Sequence, residues 1–262
     1  MPTQHRQDRR LVQRHFRREL ATYATEKAAA HRSPVIPFLE QWAAAPGRDD
    51  RPLSVCEFGG GGGVLLAELL RRIDRAVTAC NAELVSAYRV RQTDRRIRFL
   101  LTSVLDPCFP SETFDVVVLR NVLHHLIGPS FGATRANQRR AVQELFRVTK
   151  PGGLVLIEEQ VVEDRLACRA VYALSRCAAR LGITLRAFQI TPSTVVAFLT
   201  GRQLTALCDG HAGPDGCASR QYKRWPRPWR WRITWFMRNT GELFLAWRKP
   251  SEHETRTAST PQ

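Results

Sequence analysis

Lysine is scarce in this chain. It occurs only at Lys27, Lys150, Lys223 and Lys249, so arginine carries nearly all of the positive charge behind the net +16. Such a bias, beside abundant alanine, fits either an anionic partner (nucleic acid, a lipid surface, an acidic substrate) or a GC-rich genome. Long apolar runs are also missing. None approaches the ~18–20 residues of a membrane span, so no integral membrane segment is expected. The first twenty residues are charged, which argues against a secretory signal, and Asp8 and Glu19 argue against an Arg-rich transit peptide. The seven cysteines (Cys56, Cys80, Cys108, Cys168, Cys177, Cys208, Cys217) contain no Cys-x-x-Cys pair. Free thiols in a reducing cytoplasm are expected, with no metal site. What remains is a chain of 262 residues, 44% apolar, which suits one α/β domain with additions.

The most informative stretch is Val55-Cys56-Glu57-Phe58-Gly59-Gly60-Gly61-Gly62-Gly63-Val64-Leu65-Leu66. It reads as a buried strand end, an acidic residue, a glycine loop and the start of a packed helix. Consecutive glycines permit positive φ and close approach of a ligand to the backbone, and the helix N-terminus beyond offers unpaired N–H groups to an anion. A phosphate loop is excluded because Val64, not Lys, follows Gly63. A dinucleotide fingerprint is excluded because Val64 or Leu65 stands where its third glycine belongs. The spacing that fits is acidic-x-Gly-x-Gly-x-Gly, over Glu57, Gly59, Gly61 and Gly63.

That pattern resembles motif I of the class I S-adenosylmethionine (SAM)-dependent methyltransferases. Further resemblance comes in the family's order. Phe114-Asp115-Val116-Val117-Val118-Leu119 resembles its fourth strand, and Asn121-Val122-Leu123-His124-His125-Leu126 the segment after it. Leu145 to Ile157, with Lys150-Pro151-Gly152-Gly153 at its centre, resembles its helix, Pro-Gly-Gly turn and fifth strand, the glycine pair serving as a helix stop. The resemblance covers roughly residues 53–159 and is nearest to small-molecule methyltransferases of quinone and natural-product pathways. It implies an α/β fold with a seven-stranded, mostly parallel sheet in the order 3-2-1-4-5-7-6, the seventh strand antiparallel, and helices on both faces.

Periodicity supplies the rest of the organisation. Residues 1–50 are expected to form an N-terminal helical cap, residues 51–250 the methyltransferase domain, and residues 251–262 a disordered polar tail. Val12, Phe16, Leu20 and Tyr23 share one face of a helix over 8–30. Pro34, Pro37 and Pro46-Gly47 break the chain before the first strand. The second strand is expected near Ala76–Ala79, followed by a helix from Glu83 to Gln92, and the third near Ile97–Leu101. A helix is expected over 136–149. Residues 160–228 form the expected substrate lid. There Arg165–Leu181 is helical with Leu166, Ala170, Val171, Leu174 and Cys177 on its packed side, and Thr191-Pro192-Ser193 opens a helix to Cys208. Arg232–Arg238 and Leu243–Trp247 flank Asn239-Thr240-Gly241-Glu242 as a hairpin.

By resemblance, Glu57 and the loop Gly59, Gly61, Gly63 hold the amino-acid part of SAM. The family's ribose-binding acid ends the second strand, where this sequence offers Ala79 or Cys80, with Asn81 or Glu83 as substitutes. Ser103, beside Val104, stands in place of an adenine-reading Asp. Arg120 binds an anionic substrate or lends its backbone to the SAM amine. Methyl transfer from a sulfonium needs positioning above all, and a base only when a proton must leave. His124 and His125 are the candidate bases, with Glu158 and Glu159 as rivals. The acceptor is expected to be a small molecule. Two alternatives remain open: an RNA or lipid-surface methyltransferase using the Arg/Trp-rich run 220–232, and a non-catalytic SAM-fold partner protein.

Overall fold

The computed structural model describes residues 32–45, 51–74, 76–185, 190–193, 195–212, 216–224 and 240–251. The expected helix over 8–30 with Tyr23, the tail beyond Ser251, the strand over 232–238 and the Arg/Trp run from Trp225 onward lie outside the described residues.

Among the described residues, seven strands form one sheet in the order β3-β2-β1-β4-β5-β7-β6. They are β1 (Leu53–Phe58), β2 (Val77–Glu83), β3 (Arg98–Leu101), β4 (Phe114–Arg120), β5 (Thr149–Val162), β6 (Cys217–Arg224) and β7 (Thr240–Arg248). The first five are parallel, and β7 runs antiparallel to both β5 and β6. The expected topology is therefore the observed one. Five described helices surround the sheet: α1 (Val35–Ala43), α2 (Val64–Arg72), α3 (Phe131–Val148), α4 (Arg165–Leu181) and α5 (Gly201–Asp209). The central strand β4 is apolar on both faces because both are covered. Val116 and Val118 pack with Ile36 and Leu39 of α1 and Leu65, Leu66 and Leu69 of α2. Val117 and Leu119 pack with Ala141 and Leu145 of α3 and Leu204 of α5. Each of these buried leucines contributes roughly 1.5–3 kcal/mol.

Local chemistry sets the helix ends. The Asp164 carboxylate caps α4 by accepting from Leu166 and Ala167 N–H, and Gly182, left-handed at φ 68°, ends it. Thr200 and Gln203 form a reciprocal capping box on α5. At the opposite edge of the sheet from the glycine loop, Asp115 accepts from Ser54 N–H (2.9 Å), Ser54 Oγ (2.6 Å) and Lys150 Nζ (3.0 Å). That carboxylate ties the starts of β1, β4 and β5 together.

Several expectations need correction. Pro34 and Pro37 do not break the chain: Pro34 is the N-cap of α1, and Pro37 lies in its first turn, where a missing N–H costs nothing. β2 runs four residues past Ala79, to Glu83, and the segment Ser86–Arg91 beyond it is a short 3-10 helix. α3 ends at Val148 and its C-cap Thr149 is already extended, so the Gly152-Gly153 pair is not its stop. Instead Gly152 takes φ 72° at the start of β5. α4 packs through Ala167, Cys168, Val171, Tyr172, Ser175 and Ala178, a face rotated from the expected one, and leaves Leu166 and Leu174 outward. The helix expected from Thr191 begins only at Gly201, because Leu199 bridges to Val161 beside β5. Thr240, Gly241 and Glu242 lie inside β7 rather than in a turn, and β7 pairs with β5 on one side and β6 on the other.

Candidate active site

Strand order reverses between β1 and β4, and in such sheets the crevice at the carboxyl ends is the natural ligand site. A cavity of about 240 Å³ opens there. Its walls come from residues 57–61, 82–85, 102–104 and 120–122, with Val64, Leu65, Tyr88, His125 and Leu126.

The glycine loop shows why its spacing matters. Gly59, Gly61 and Gly63 have φ of 72°, 54° and 73°, so the alternate glycines of the motif are the ones in left-handed conformation. A Cβ on Gly60 would lie 2.5 Å from Glu57 Oε2 and 2.9 Å from Asn81 Oδ1. Gly63 is the N-cap of α2, so that helix's first N–H groups face the loop.

Beneath the loop, Glu57 is 1% exposed, and its Oε2 has no hydrogen-bond partner among the described residues. Burial pushes its carboxyl up to about 7, against the pull of the Arg120 guanidinium 3.8 Å away, with Glu83 and Glu158 adding to the rise. Asn81 is fully buried. Its Nδ2 donates to Gly61 O (2.8 Å), and it supports the loop from below instead of lining the cavity. Gly63 likewise falls outside the lining, whereas Gly59, Gly61, Ser103, Val104 and Arg120 are in it.

Glu83 corrects the reading of the second strand's end. It is the last residue of β2, is 5% exposed and lines the cavity. Its Oε1 accepts from Leu84 N–H (2.7 Å) and Val85 N–H (3.0 Å), and its Oε2 from Gly61 N–H (3.0 Å). Burial raises its pKa, and these backbone donors oppose the rise. A carboxylate oxygen accepts two hydrogen bonds, so Oε2 keeps one acceptor position. Ala79 and Cys80 lie inside the strand, in register with Val55 and Cys56. The signal in sequence was β1 itself: a parallel neighbour starting at Val77 reaches the level of Phe58 at Ala82, which puts an acid at the rim.

The candidate bases part company. His125 lines the cavity. His124 is buried outside the lining, its Nδ1 2.5 Å from Glu159 Oε1 and its ring stacked on Phe198. Glu159 Oε2 also accepts from Leu123 N–H (2.7 Å), so Glu159 holds the segment after β4 in place. Glu158 is 3% exposed and accepts from Ser33 Oγ (2.5 Å) and Arg120 Nε (2.8 Å), again outside the lining. Glu242 sits against Glu158, and burial with that neighbour raises its carboxyl to about 7. Neither Glu242 nor the cavity-lining Tyr88 stands out in the sequence. Glu242 falls in an expected turn and Tyr88 in an expected helix.

Residues 56–157 match the family described as a methyltransferase domain. The matched segment runs from β1 to β5 and carries the glycine loop, so it is the part of the chain that is similar to that family. Solved structures share the fold at low identity. A SAM-dependent methyltransferase from Methanosarcina mazei is 14% identical over 84% of this chain and 99% of its own, with a TM-score of 0.56. The N-methyltransferase NodS from Bradyrhizobium japonicum, in complex with S-adenosyl-L-homocysteine (SAH), is 13% identical over 83% and 85%, with a TM-score of 0.53. The [4+2]-cyclase SpnF is 14% identical over 82% and 81%, with a TM-score of 0.52. No curated protein matches the chain.

Proposed function

We propose that this chain moves a methyl group from SAM to a small-molecule acceptor by in-line displacement. The observation that carries the reading is the glycine cradle with two buried carboxylates, Glu57 and Glu83, on the wall of one cavity. The residues fit the cofactor. The unpartnered Glu57 Oε2 suits its ammonium group, the start of α2 suits its carboxylate, Glu83 Oε2 suits a ribose hydroxyl, and Ser103 and Val104 border the adenine. When bound, the cofactor supplies an electrophilic methyl on a positively charged sulfur whose leaving group is neutral. The chain's own work is then to orient the acceptor and exclude water. Where the acceptor must lose a proton, His125 is the group within the cavity that takes it.

These roles carry two expected outcomes. His125→Ala lowers turnover of an O–H or N–H acceptor by about 100-fold while SAM affinity stays within about threefold, a split that steady-state kinetics with direct titration resolves. For Glu57 the sign is set by its raised carboxyl. Below about pH 7 it is neutral and offers the ammonium little; above that it is charged. SAM affinity therefore rises as pH climbs through 7. Protein stability moves the other way: the folded state holds the proton more tightly than the unfolded chain, so Glu57's contribution is lost as pH rises through the same window. Glu57→Gln should raise the melting midpoint at pH 8 by at least about 2 °C and remove the pH dependence of binding.

The alternative readings gain less support. Within the described residues, Arg220–Arg224 form the exposed edge strand β6, where Lys and Arg guard a sheet edge from pairing with another chain. Glu83 at the end of β2 stands where the resemblance expects a ribose-binding acid, which favours a working site over the non-catalytic reading. No described helix is long and apolar enough to cross a membrane. The deciding experiment incubates the chain with methyl-labelled SAM and a panel of amines, phenols and carboxylic acids. Label on one small-molecule class supports the reading; with total RNA added in a parallel reaction, label on RNA alone overturns it.

A further inference from the structure

Helix α4 carries two apolar faces, and the described residues cover only one. Ala167, Cys168, Val171 and Ala178 pack inward with Val162 and Ile190. On the opposite side Leu166 is 74% exposed, Leu174 37% and Leu181 70%, with Ile183 just past the helix at 42%. Ala170 and Cys177 fill the stripe between them and are exposed as well. At 100° per residue these helical positions span an arc of about 80°, one continuous stripe along the helix. Along its border run Arg165, Arg169, Arg176 and Arg180, and the helix contains no acidic residue. Arg176 lies over the Tyr172 ring and donates to Gly128 O and Pro129 O, and Arg169 lies over Phe131. The arginine row thus stands beside the loop that begins at the cavity-lining Leu126.

We infer that α4 docks this protein on an anionic lipid surface, with Leu166, Leu174 and Leu181 in the acyl boundary and the arginine row against the headgroup phosphates. Charge decides among occupants. A second copy would bring its own acid-free, arginine-lined helix and a further net +16 toward this one. A single-stranded nucleic acid is held by stacking on aromatic rings, and the outward face of α4 has none. Bare leucines flanked by arginine are what an interfacial helix presents. β5 leads directly into α4, and Arg176 ties the helix to Gly128 and Pro129, just past the cavity-lining Leu126. The surface is distinct from the Arg/Trp run and does not depend on the proposed reaction.

Cosedimentation of the full chain with vesicles tests this. Vesicles of phosphatidylglycerol mixed equally with phosphatidylcholine should bind it at low salt, and pure phosphatidylcholine vesicles far less. The variant Leu166→Glu, Leu174→Glu, Leu181→Glu should lose at least about 30-fold in partitioning. Arg165→Gln with Arg180→Gln should lose about 25-fold, since each arginine near an anionic surface contributes about fivefold. All five positions are exposed, so the melting midpoint and SAM affinity should stay at wild-type values. Failure to bind anionic vesicles overturns the inference, as does binding indifferent to vesicle charge. Wild-type binding by the leucine variant, with loss confined to Arg220→Gln and Arg224→Gln, also overturns it. So does a dimer that the leucine changes convert to monomer in gel filtration, which would make the stripe a contact between copies.

Discussion

Gly61→Val is expected to abolish SAM binding, with a loss of at least about 100-fold, or ~2.7 kcal/mol. Gly61 sits at φ 54°, where a β-branched side chain costs about 1–3 kcal/mol. The loop has two ways to respond, and both damage the site. Held in place, it puts two methyl groups at a cavity-lining position. Relaxed, it gives up the bond from Gly61 N–H to Glu83 Oε2 (3.0 Å) and the bond from Asn81 Nδ2 to Gly61 O (2.8 Å). Both bonds fix the cradle to β2. The core on either face of the sheet contains none of this loop's glycines, so the variant should keep its fold by circular dichroism. A folded Gly61→Val protein with full SAM affinity would show that the loop serves something other than a cofactor.

Glu83→Ala is expected to cut affinity for SAM and SAH together by at least about 30-fold. The carboxylate has two jobs. It accepts three backbone N–H groups, from Gly61, Leu84 and Val85, and it presents the remaining acceptor position to the cavity. Removing it leaves those donors to water and frees the loop on one side, at a stability cost of about 1–3 kcal/mol. Glu83→Gln separates the jobs. Its amide oxygen still accepts from Leu84 and Val85, while its NH₂ faces the Gly61 N–H, so affinity should fall more than the melting midpoint. If both variants lose stability and keep affinity, as followed by thermal melts and titration, Glu83 is only a brace.

Much of this was legible because certain residue types have one structural use. Alternating glycines after an acid required left-handed backbone at the rim. The run Val116–Leu119, apolar on both faces, required a central strand covered on both sides. The second strand was legible only as far as Ala79, with Glu83 standing as a substitute acid at the start of an expected helix; pairing with β1 and β3 is what carries the strand on to Glu83. The packed face of α4 was ambiguous for a different reason. Both sides of that helix are apolar, and periodicity alone does not say which one meets the sheet. The late start of α5 depended on the Leu199 bridge to Val161, a contact between distant positions that local pattern does not carry. His124 and His125 are adjacent in sequence, yet a 3-10 turn over Leu123–His125 sends one ring to Glu159 and the other to the cavity.

Calorimetric titration of the full chain with SAH tests the cofactor site most directly. One site per chain, with a dissociation constant of micromolar order and binding erased by Gly61→Val, is the expected result. A chain that is folded and takes up no SAH at millimolar concentration, at pH 8 where Glu57 is charged, would contradict it.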